Sequence, residues 1–151
     1  MVISHSPPPA LAEFARRLVQ HEAERVGRAH DLAAGLQSTC NALHARLSPL
    51  ISALGFQTLF ARAITLAARE FPRLATLTVT ADGSDCVLSG LAHPEEARAT
   101  DEGADDALVA VLAHFLALLV LFIGEDLGLR TIRDVWPHVP FDRRPSSGVE
   151  R

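Results

Sequence analysis

Apolar positions in the first quarter of the chain repeat at the spacing of one helical face. Small or apolar side chains recur at Leu11, Phe14, Leu18, Val26, Ala29, Ala33 and Leu36. Polar residues occupy the opposite face at Arg16, Arg17, Gln20, Glu24, Arg28 and Asp31. Because spacings of three and four residues match the period of an α-helix, the pattern predicts an amphipathic helix that begins near Pro9 or Ala10.

A second periodic run follows a weak break at Gly35 to Ser38. Its apolar positions are Cys40, Leu43, Leu47, Leu50, Ile51 and Leu54. Pro49 interrupts the run, and a proline removes a backbone donor and restricts the residue before it. The sequence therefore predicts two helices with a kink or boundary near Ser48.

The clearest helix of the first half is predicted from Phe56 to Phe71. Gly55 is expected to end the element before it, and Pro72 stops the helix itself. Its polar stripe is narrow, with Thr58, Arg62, Thr65 and Arg69 at three- and four-residue spacing. Most of this helix is therefore expected to be buried.

The strand signal of the chain lies near residues 76–89. Two apolar residues alternate with three threonines, Asp82 and Gly83 follow, and residues 86–88 form the return. Alternation around an Asp-Gly pair is typical of a β-hairpin. The next segment, residues 92–103, has no apolar period and is predicted to be an acidic surface loop.

The residues from about Asp105 to Ile123 form an apolar helix close to the minimum length for crossing a bilayer. Its flanks argue against a membrane span. Both ends are acidic, the amino side has no nearby Lys or Arg, no Trp or Tyr precedes Gly124, and His114 interrupts the middle. We therefore expect a central buried helix and no stable membrane span.

These elements predict a mainly α, single-domain helical bundle of about five helices with one small β-hairpin near residues 76–89. The expected organisation is an extended arm at 1–9, a helical domain at 10–137 and a flexible tail at 138–151. A chain of 151 residues, of which 48% are hydrophobic, is long enough to bury one core without a metal or a disulfide framework.

Charge and cysteine content narrow the function classes. A net charge of −4, without a basic stripe or interleaved aromatics, argues against nucleic-acid binding. The two cysteines, Cys40 and Cys86, do not make a secreted disulfide framework and suit a reduced compartment. The first nine residues lack a signal-peptide pattern, so a cytoplasmic location is expected.

Three segments of the chain carry a resemblance: Gly55 to Ala67, the turn at Asp82, and Phe122 to Pro137. Their patterns, G-F-x-x-L-x-x-R-A and F-I-G-E-x-L-x-L-R-x-x-R-D-x-W-P, are similar to those of a family of small uncharacterised bacterial helical proteins. The resemblance covers roughly residues 40–137. It implies a bacterial, helical, cytosolic protein and brings no activity, cofactor or catalytic residue.

The charged segment after Gly124 is the first candidate for a binding site. Asp126, Arg130 and Asp134 are four residues apart and would form an alternating ladder on a helix. A ligand site there would use an arginine to hold an anion and Trp136 as a wall. The candidate ligand-binding residues are Arg62, His114, Glu125, Arg130, Arg133 and Trp136. The competing interpretation makes the same residues structural, as ion pairs and core packing.

Metal, cofactor and catalytic signals are weaker. Cys40 and His44 share a helical side, but two ligands do not make a metal site, so neither a metal nor a cofactor is predicted. His114 is expected to be a core histidine. No nucleophile elbow or glycine-rich phosphate loop occurs, and an acid and base pair of Glu125 and His114 rests on little, so no catalytic residue is assigned.

The predicted function is a non-enzymatic interaction or regulatory module. Its amphipathic helix surface from Leu11 to Leu36 would associate with a second copy or with another protein. The alternative is a small-ligand carrier or sensor with a pocket between the bundle helices. Residues proposed to line that pocket are Phe60, His114, Phe115, Phe122 and Trp136.

Overall fold

A computed structural model of the chain describes residues 7–82, 86–90 and 104–139. Within these ranges the elements are α1 (Pro9–Arg25), α2 (Leu32–Ala68), a 3-10 turn (Pro72–Thr76), β1 (Thr78–Ala81), β2 (Cys86–Ser89), α3 (Ala104–Ile123) and α4 (Glu125–Val135). The predicted class, mainly helical with one small hairpin, is confirmed. The described helices number four and not five when Leu32–Ala68 is counted as one helix with a bend at Ser52, and no boundary occurs at Gly55.

The predicted acidic loop at 92–103 lies outside the described residues, as do most of the arm at 1–9 and most of the tail at 138–151. Within the tail, Val139 is described, and its side chain is buried against the core.

Helix α1 begins at Pro9, as predicted, and its apolar face points into the core. Leu11, Phe14, Ala15, Leu18, Val19 and Ala23 are all buried. The predicted continuation of this helix to Leu36 is wrong, because α1 ends at Arg25 and a turn with Gly27 at φ 79° follows. Asp31 then caps α2 by accepting a hydrogen bond from the backbone N–H of Ala34 (3.1 Å).

Gly35 lies inside α2 and not at a break between helices. A Cβ at this position would stand 2.3 Å from the backbone oxygen of Val19 and 3.0 Å from Cβ of Ala23. Glycine therefore allows the backbones of α1 and α2 to approach closely at this crossing. The predicted weak break at Gly35 to Ser38 is wrong, since the missing side chain serves packing and not helix termination.

Helix α2 folds back on itself at Ser52. This residue has φ 68° and ψ 163°, which are not helical values. The rings of His44 and Phe56 lie 5.3 Å apart, although twelve residues of straight helix would separate their backbones by roughly 18 Å. The predicted boundary near Ser48 is therefore misplaced by four residues, and Pro49 is accommodated in the turn before the bend.

Ser52 also caps the second half of α2, because its Oγ accepts a hydrogen bond from the N–H of Gly55 (3.0 Å). A non-glycine residue in this backbone region costs about 1–3 kcal/mol. We expect Ser52→Gly to raise the free energy of unfolding by about 1 kcal/mol, since the relief of strain exceeds the few tenths lost with the cap. Ser52→Ala should lower it by about 1 kcal/mol because the strain stays and the cap is lost.

Denaturant unfolding of the two Ser52 variants beside the parent chain checks this expectation. Opposite signs for glycine and alanine would support the bend. An equal loss of stability in both variants would contradict it.

The two strands pair antiparallel, with Thr78 opposite Ser89 and Ala81 opposite Cys86. One face of the hairpin is apolar and packs on the core through Val79, Cys86 and Leu88, whereas the threonines face outward. This arrangement matches the alternation in the sequence.

Side-chain amides of α2 hold the edges of the hairpin. Gln37 Nε2 donates to the carbonyl of Cys86 (2.8 Å), and Gln37 Oε1 accepts from the N–H of Leu88 (2.9 Å). On the other strand, Gln57 Oε1 accepts from the N–H of Ala81 (2.8 Å). Both halves of α2 therefore contact the hairpin.

A disulfide between Cys40 and Cys86 joins α2 to β2, with the two Cα atoms 6.6 Å apart. Both residues are buried. The expectation of two reduced thiols is therefore wrong for this structure. The pairing was not predictable from the sequence, because 46 positions separate the cysteines and only the packing of the hairpin on α2 brings them together.

Helix α3 is the centre of the bundle. Its buried residues include Val111, Leu112, Phe115, Leu116 and Leu119. Phe115 lies 5.3 Å from the ring of Phe56 and 5.0 Å from that of Phe60, so three aromatic rings join α2 to α3. An ion pair between Arg16 and Asp106 ties the start of α3 to α1.

Two helices, Leu32–Ala68 and Asp105–Ile123, are long and apolar enough to cross a membrane by length and composition alone. The core helix of a soluble protein meets the same test. The expected absence of a membrane span therefore stays a prediction.

Helix α4 turns back from α3 at Gly124, which has φ 95°. Leu129 and Ile132 face the core, and Gly128 lies against Val120, where a Cβ would approach Cγ2 of Val120 to 3.2 Å. The helix is continuous through Gly128 because close packing against α3 compensates for the poor helix propensity of glycine.

Candidate functional site

The residues predicted to bind a ligand fall into two groups. Arg62, Glu125, Arg130 and Arg133 are exposed, on the second half of α2 and on α4. His114 and Trp136 are buried, at 4% and 3% exposure. The indole N–H of Trp136 is donated to Glu22, so its polar atom already has a partner inside the protein. The predicted ligand pocket stays a prediction.

Asp134, the last residue of the predicted charge ladder on α4, pairs with a residue of another helix. Asp134 Oδ2 accepts a hydrogen bond from Nη2 of Arg46 on α2 (2.6 Å). Both side chains are about half exposed, so the pair contributes little to stability. The pair shows that the C-terminal end of α4 lies near Arg46.

The weighed metal pair of Cys40 and His44 is excluded by its bonding. Cys40 is in the disulfide and has no thiolate to offer, and Nε2 of His44 lies 2.8 Å from the carbonyl oxygen of Asp82. Among the described residues, no group of three or more His, Cys, Asp or Glu side chains could hold a metal ion.

A buried carboxylate that sequence reasoning missed joins three parts of the fold. Glu22 on α1 is only 3% exposed. Its Oε1 accepts hydrogen bonds from Oγ of Ser38 (2.5 Å) and Nε of Arg25 (3.0 Å), and its Oε2 accepts from Nε1 of Trp136 (2.9 Å). These partners belong to α1, α2 and the residue after α4, so we call this cluster the Glu22 network.

Burial raises the pKa of Glu22. The hydrogen bonds from Ser38, Arg25 and Trp136, together with the charge of Arg25, lower this pKa by more than burial raises it. The net pKa lies below the ordinary value of 4.5. The network therefore holds Glu22 ionised, with each oxygen occupied by a donor. An occupied carboxylate fastens helices together and does not serve as a general base.

The sequence does contain a signal for this network. Glu22 follows Leu18 by four residues and Leu11 by eleven, which places a carboxylate on the apolar face of α1. A charged residue on a buried stripe requires partners. Nothing in the sequence identifies them, since Ser38 and Trp136 are 16 and 114 positions away.

A second unpredicted feature is a set of exposed apolar side chains at the bend of α2 and around the turn between α3 and α4. The residues and their exposed fractions are Leu50 (53%), Leu54 (70%), Leu121 (81%), Phe122 (66%) and Leu127 (40%). We call these five residues the apolar end. Among the described residues only two other large apolar side chains, Val26 and Val87, are similarly exposed. Most of the exposed large apolar side chains in the described residues therefore lie at the bend of α2 and around the turn between α3 and α4.

Contacts along α4 place these residues at one end of the bundle. Asp134 meets Arg46, whereas Trp136, two residues later, meets Ser38 through Glu22. This order makes α4 antiparallel to the first half of α2, so α4 begins beyond Arg46 on the side of the bend. Only Gly124 separates α4 from α3, so the last turn of α3 lies at that end too.

No similar protein was found. Comparisons with protein-family models, with curated proteins and with solved structures gave no match. The resemblance to small bacterial helical proteins therefore stays a prediction.

Two chain reversals with the same unusual backbone form the apolar end. Ser52 has φ 68° and ψ 163°, and Gly124 has φ 95° and ψ 150°. Each is followed directly by a helix, and each is flanked by exposed leucine or phenylalanine side chains. Glycine adopts this backbone without strain at Gly124, whereas at Ser52 the strain is retained, as happens in proteins mainly where the surrounding structure or the function requires it.

Polar groups border the apolar end on α4. Glu125 and Asp126 are exposed in its first turn, where the helix dipole favours negative charge. Arg130 is exposed one turn later. Acidic and basic side chains thus stand on the same rim, within one helical turn of Leu127.

Proposed function

We propose that this protein is a non-enzymatic interaction module that associates with a second copy or with another protein through its apolar end. The observation that carries the proposal is the group of five leucine and phenylalanine side chains, 40–81% exposed, beside the chain reversals at Ser52 and Gly124. Large exposed apolar patches on soluble domains commonly mark interaction sites.

The size of the patch supports this function. The exposed parts of its five side chains together amount to on the order of 500 Å², compared with the 300–600 Å² typical of the largest patch on a monomer. Covering a fully exposed leucine or phenylalanine contributes roughly 1.5–3 kcal/mol. A partner that covers Leu54, Leu121 and Phe122 would therefore gain several kcal/mol before the cost of association.

The surface of association differs from the one predicted from the sequence. The apolar face of α1, from Leu11 to Ala23, is already buried inside the same chain. It is therefore unavailable to a partner, and removal of residues 1–35 would remove part of the core. Association is assigned instead to the bend of α2 and the turn between α3 and α4.

A photo-crosslinking residue at position 121 of the full chain tests the proposed function. We expect light-dependent adducts heavier than the 16.2 kDa chain, because Leu121 is the most exposed residue of the patch. A second substitution, Leu54→Glu, should abolish these adducts by placing a charge in the same interface.

Two matched controls accompany the crosslinking. Val87→Glu adds the same charge to an exposed apolar position on the outer face of β2 and should leave the adducts unchanged. The crosslinker placed at Val26 should not give them. Adducts that persist in Leu54→Glu, or that form equally from position 26, would contradict the assignment of the surface.

A further inference from the structure

We infer that the occupant of the apolar end is a second copy of this chain, paired about a two-fold axis. The inference rests on the proposed function and deepens it by naming the partner. Three properties of the surface support a second copy: its apolar composition, its area and the arrangement of charge on its rim.

The composition of the patch fits a homodimer. Interfaces between identical subunits are more apolar than transient interfaces between different proteins. The five residues of the apolar end are leucine and phenylalanine, which offer no side-chain hydrogen bonds by which to select a different partner. Two-fold pairing is also the commonest symmetry of soluble oligomers.

The area is sufficient for a specific dimer. A patch on the order of 500 Å² on each copy gives about 1,000 Å² of apolar surface when two copies meet, and the polar rim adds to it. About 1,000 Å² is the lower limit for a specific interface. The expected complex is therefore a reversible dimer that depends on protein concentration.

The rim is compatible with itself. In a two-fold contact both copies use the same surface, so that surface must be complementary to itself. Asp126 is exposed next to Leu127 in the sequence, and Arg130 is exposed within one turn of it. Both signs of charge are thus available at the edge of each copy, so two copies can pair acid with arginine around the apolar centre.

A membrane surface suits the apolar end less well. The acidic pair Glu125 and Asp126 lies next to the patch, where anionic lipid would repel it. The chain has no lysine and no tyrosine, and its single tryptophan, Trp136, is buried. Tyrosine and an exposed tryptophan, the interfacial aromatics that anchor helices on bilayers, are therefore missing from the described part of this surface.

Sedimentation velocity of the full chain over a wide concentration range tests the inference. We expect the mass to rise with concentration from 16.2 kDa to twice that value. Phe122→Glu and Leu54→Glu should each raise the dimer Kd about thirtyfold or more, as charges in the centre of an interface do. Val87→Glu should leave it unchanged, and circular dichroism checks that all variants keep the helical fold.

The remaining outcomes separate the two proposals. A dimer that tolerates both glutamate variants would overturn the second-copy inference and the choice of surface together. A monomer at every concentration that still gives Leu54-dependent adducts to another protein would overturn only the second copy. A monomer that floats with phosphatidylcholine vesicles, and loses this property in Phe122→Glu, would replace both proposals with a lipid surface.

Discussion

Reduction of the disulfide between Cys40 and Cys86 is expected to lower the free energy of unfolding by about 4 kcal/mol. The bond closes a loop with a sequence separation of 46, and a loop of this length restricts the unfolded chain strongly. It also fixes the hairpin to α2. The expected loss corresponds to roughly 10–15 °C in Tm for a domain of this size.

Thermal and denaturant unfolding with and without reductant measures this effect. The double variant Cys40→Ala and Cys86→Ala provides the control, since it should match the reduced parent chain and ignore reductant. Alanine is chosen because both positions are buried and a hydroxyl there would lack water. Equal stability of the oxidised and reduced parent chain, with thiol release verified by mass, would contradict the expectation.

Loss of the Glu22 carboxylate is expected to be the second largest effect, at about 2–3 kcal/mol for Glu22→Ala near neutral pH. The substitution removes the acceptor of the Trp136 indole N–H and of the Ser38 hydroxyl. Trp136 is 3% exposed, so water cannot readily replace the lost partner. Glu24→Ala, at an exposed position of the same helix, is the matched control.

Stability should also depend on pH through Glu22. Its pKa in the folded protein lies below the ordinary value of 4.5, so the folded state favours the charged carboxylate. The stabilisation is therefore complete above pH 4.5 and is lost as the pH falls through the lower folded pKa. The stability difference between the parent chain and Glu22→Gln should narrow over that acidic range.

Denaturant unfolding at a series of acidic pH values checks the direction. The comparison of parent chain with Glu24→Gln should show no such narrowing, because Glu24 is exposed. A difference between the parent chain and Glu22→Gln that grows as the pH falls would contradict the assigned hydrogen bonds.

Local signals in the sequence predicted much of the fold. Pro9 starts α1, the apolar run to Ile123 forms α3, and an Asp-Gly pair lies between the two strands. These features depend on residues within one or two turns of one another, so periodicity and turn chemistry are sufficient. The mainly helical class follows from them.

The bend of α2 shows why other features were not predicted. Pro49 and Gly55 are the local helix breakers, yet the reversal occurs at Ser52, a residue with no strong tendency to positive φ. Packing of the two halves, as between His44 and Phe56, selects that position. Tertiary contacts thus override local propensity where the chain must fold back.

The same limit applies to the candidate sites. The Glu22 network and the disulfide join residues that are far apart in sequence, and their partners appear only after packing. The residues of the apolar end were not predicted to be exposed, for a different reason. Leu54 and Phe122 fit the helical patterns of the core, and only the positions of the two reversals leave them exposed.

The hydrogen bonds of Gln37 to β2 protect one edge of the hairpin. One amide side chain donates to the carbonyl of Cys86 and accepts from the N–H of Leu88, as a residue of a neighbouring strand would. The carbonyl of Cys86 and the N–H of Leu88 at that edge of the hairpin therefore already have a hydrogen-bond partner. A foreign strand could not add there without displacing Gln37 from these two backbone groups, so this edge is protected against cross-β growth.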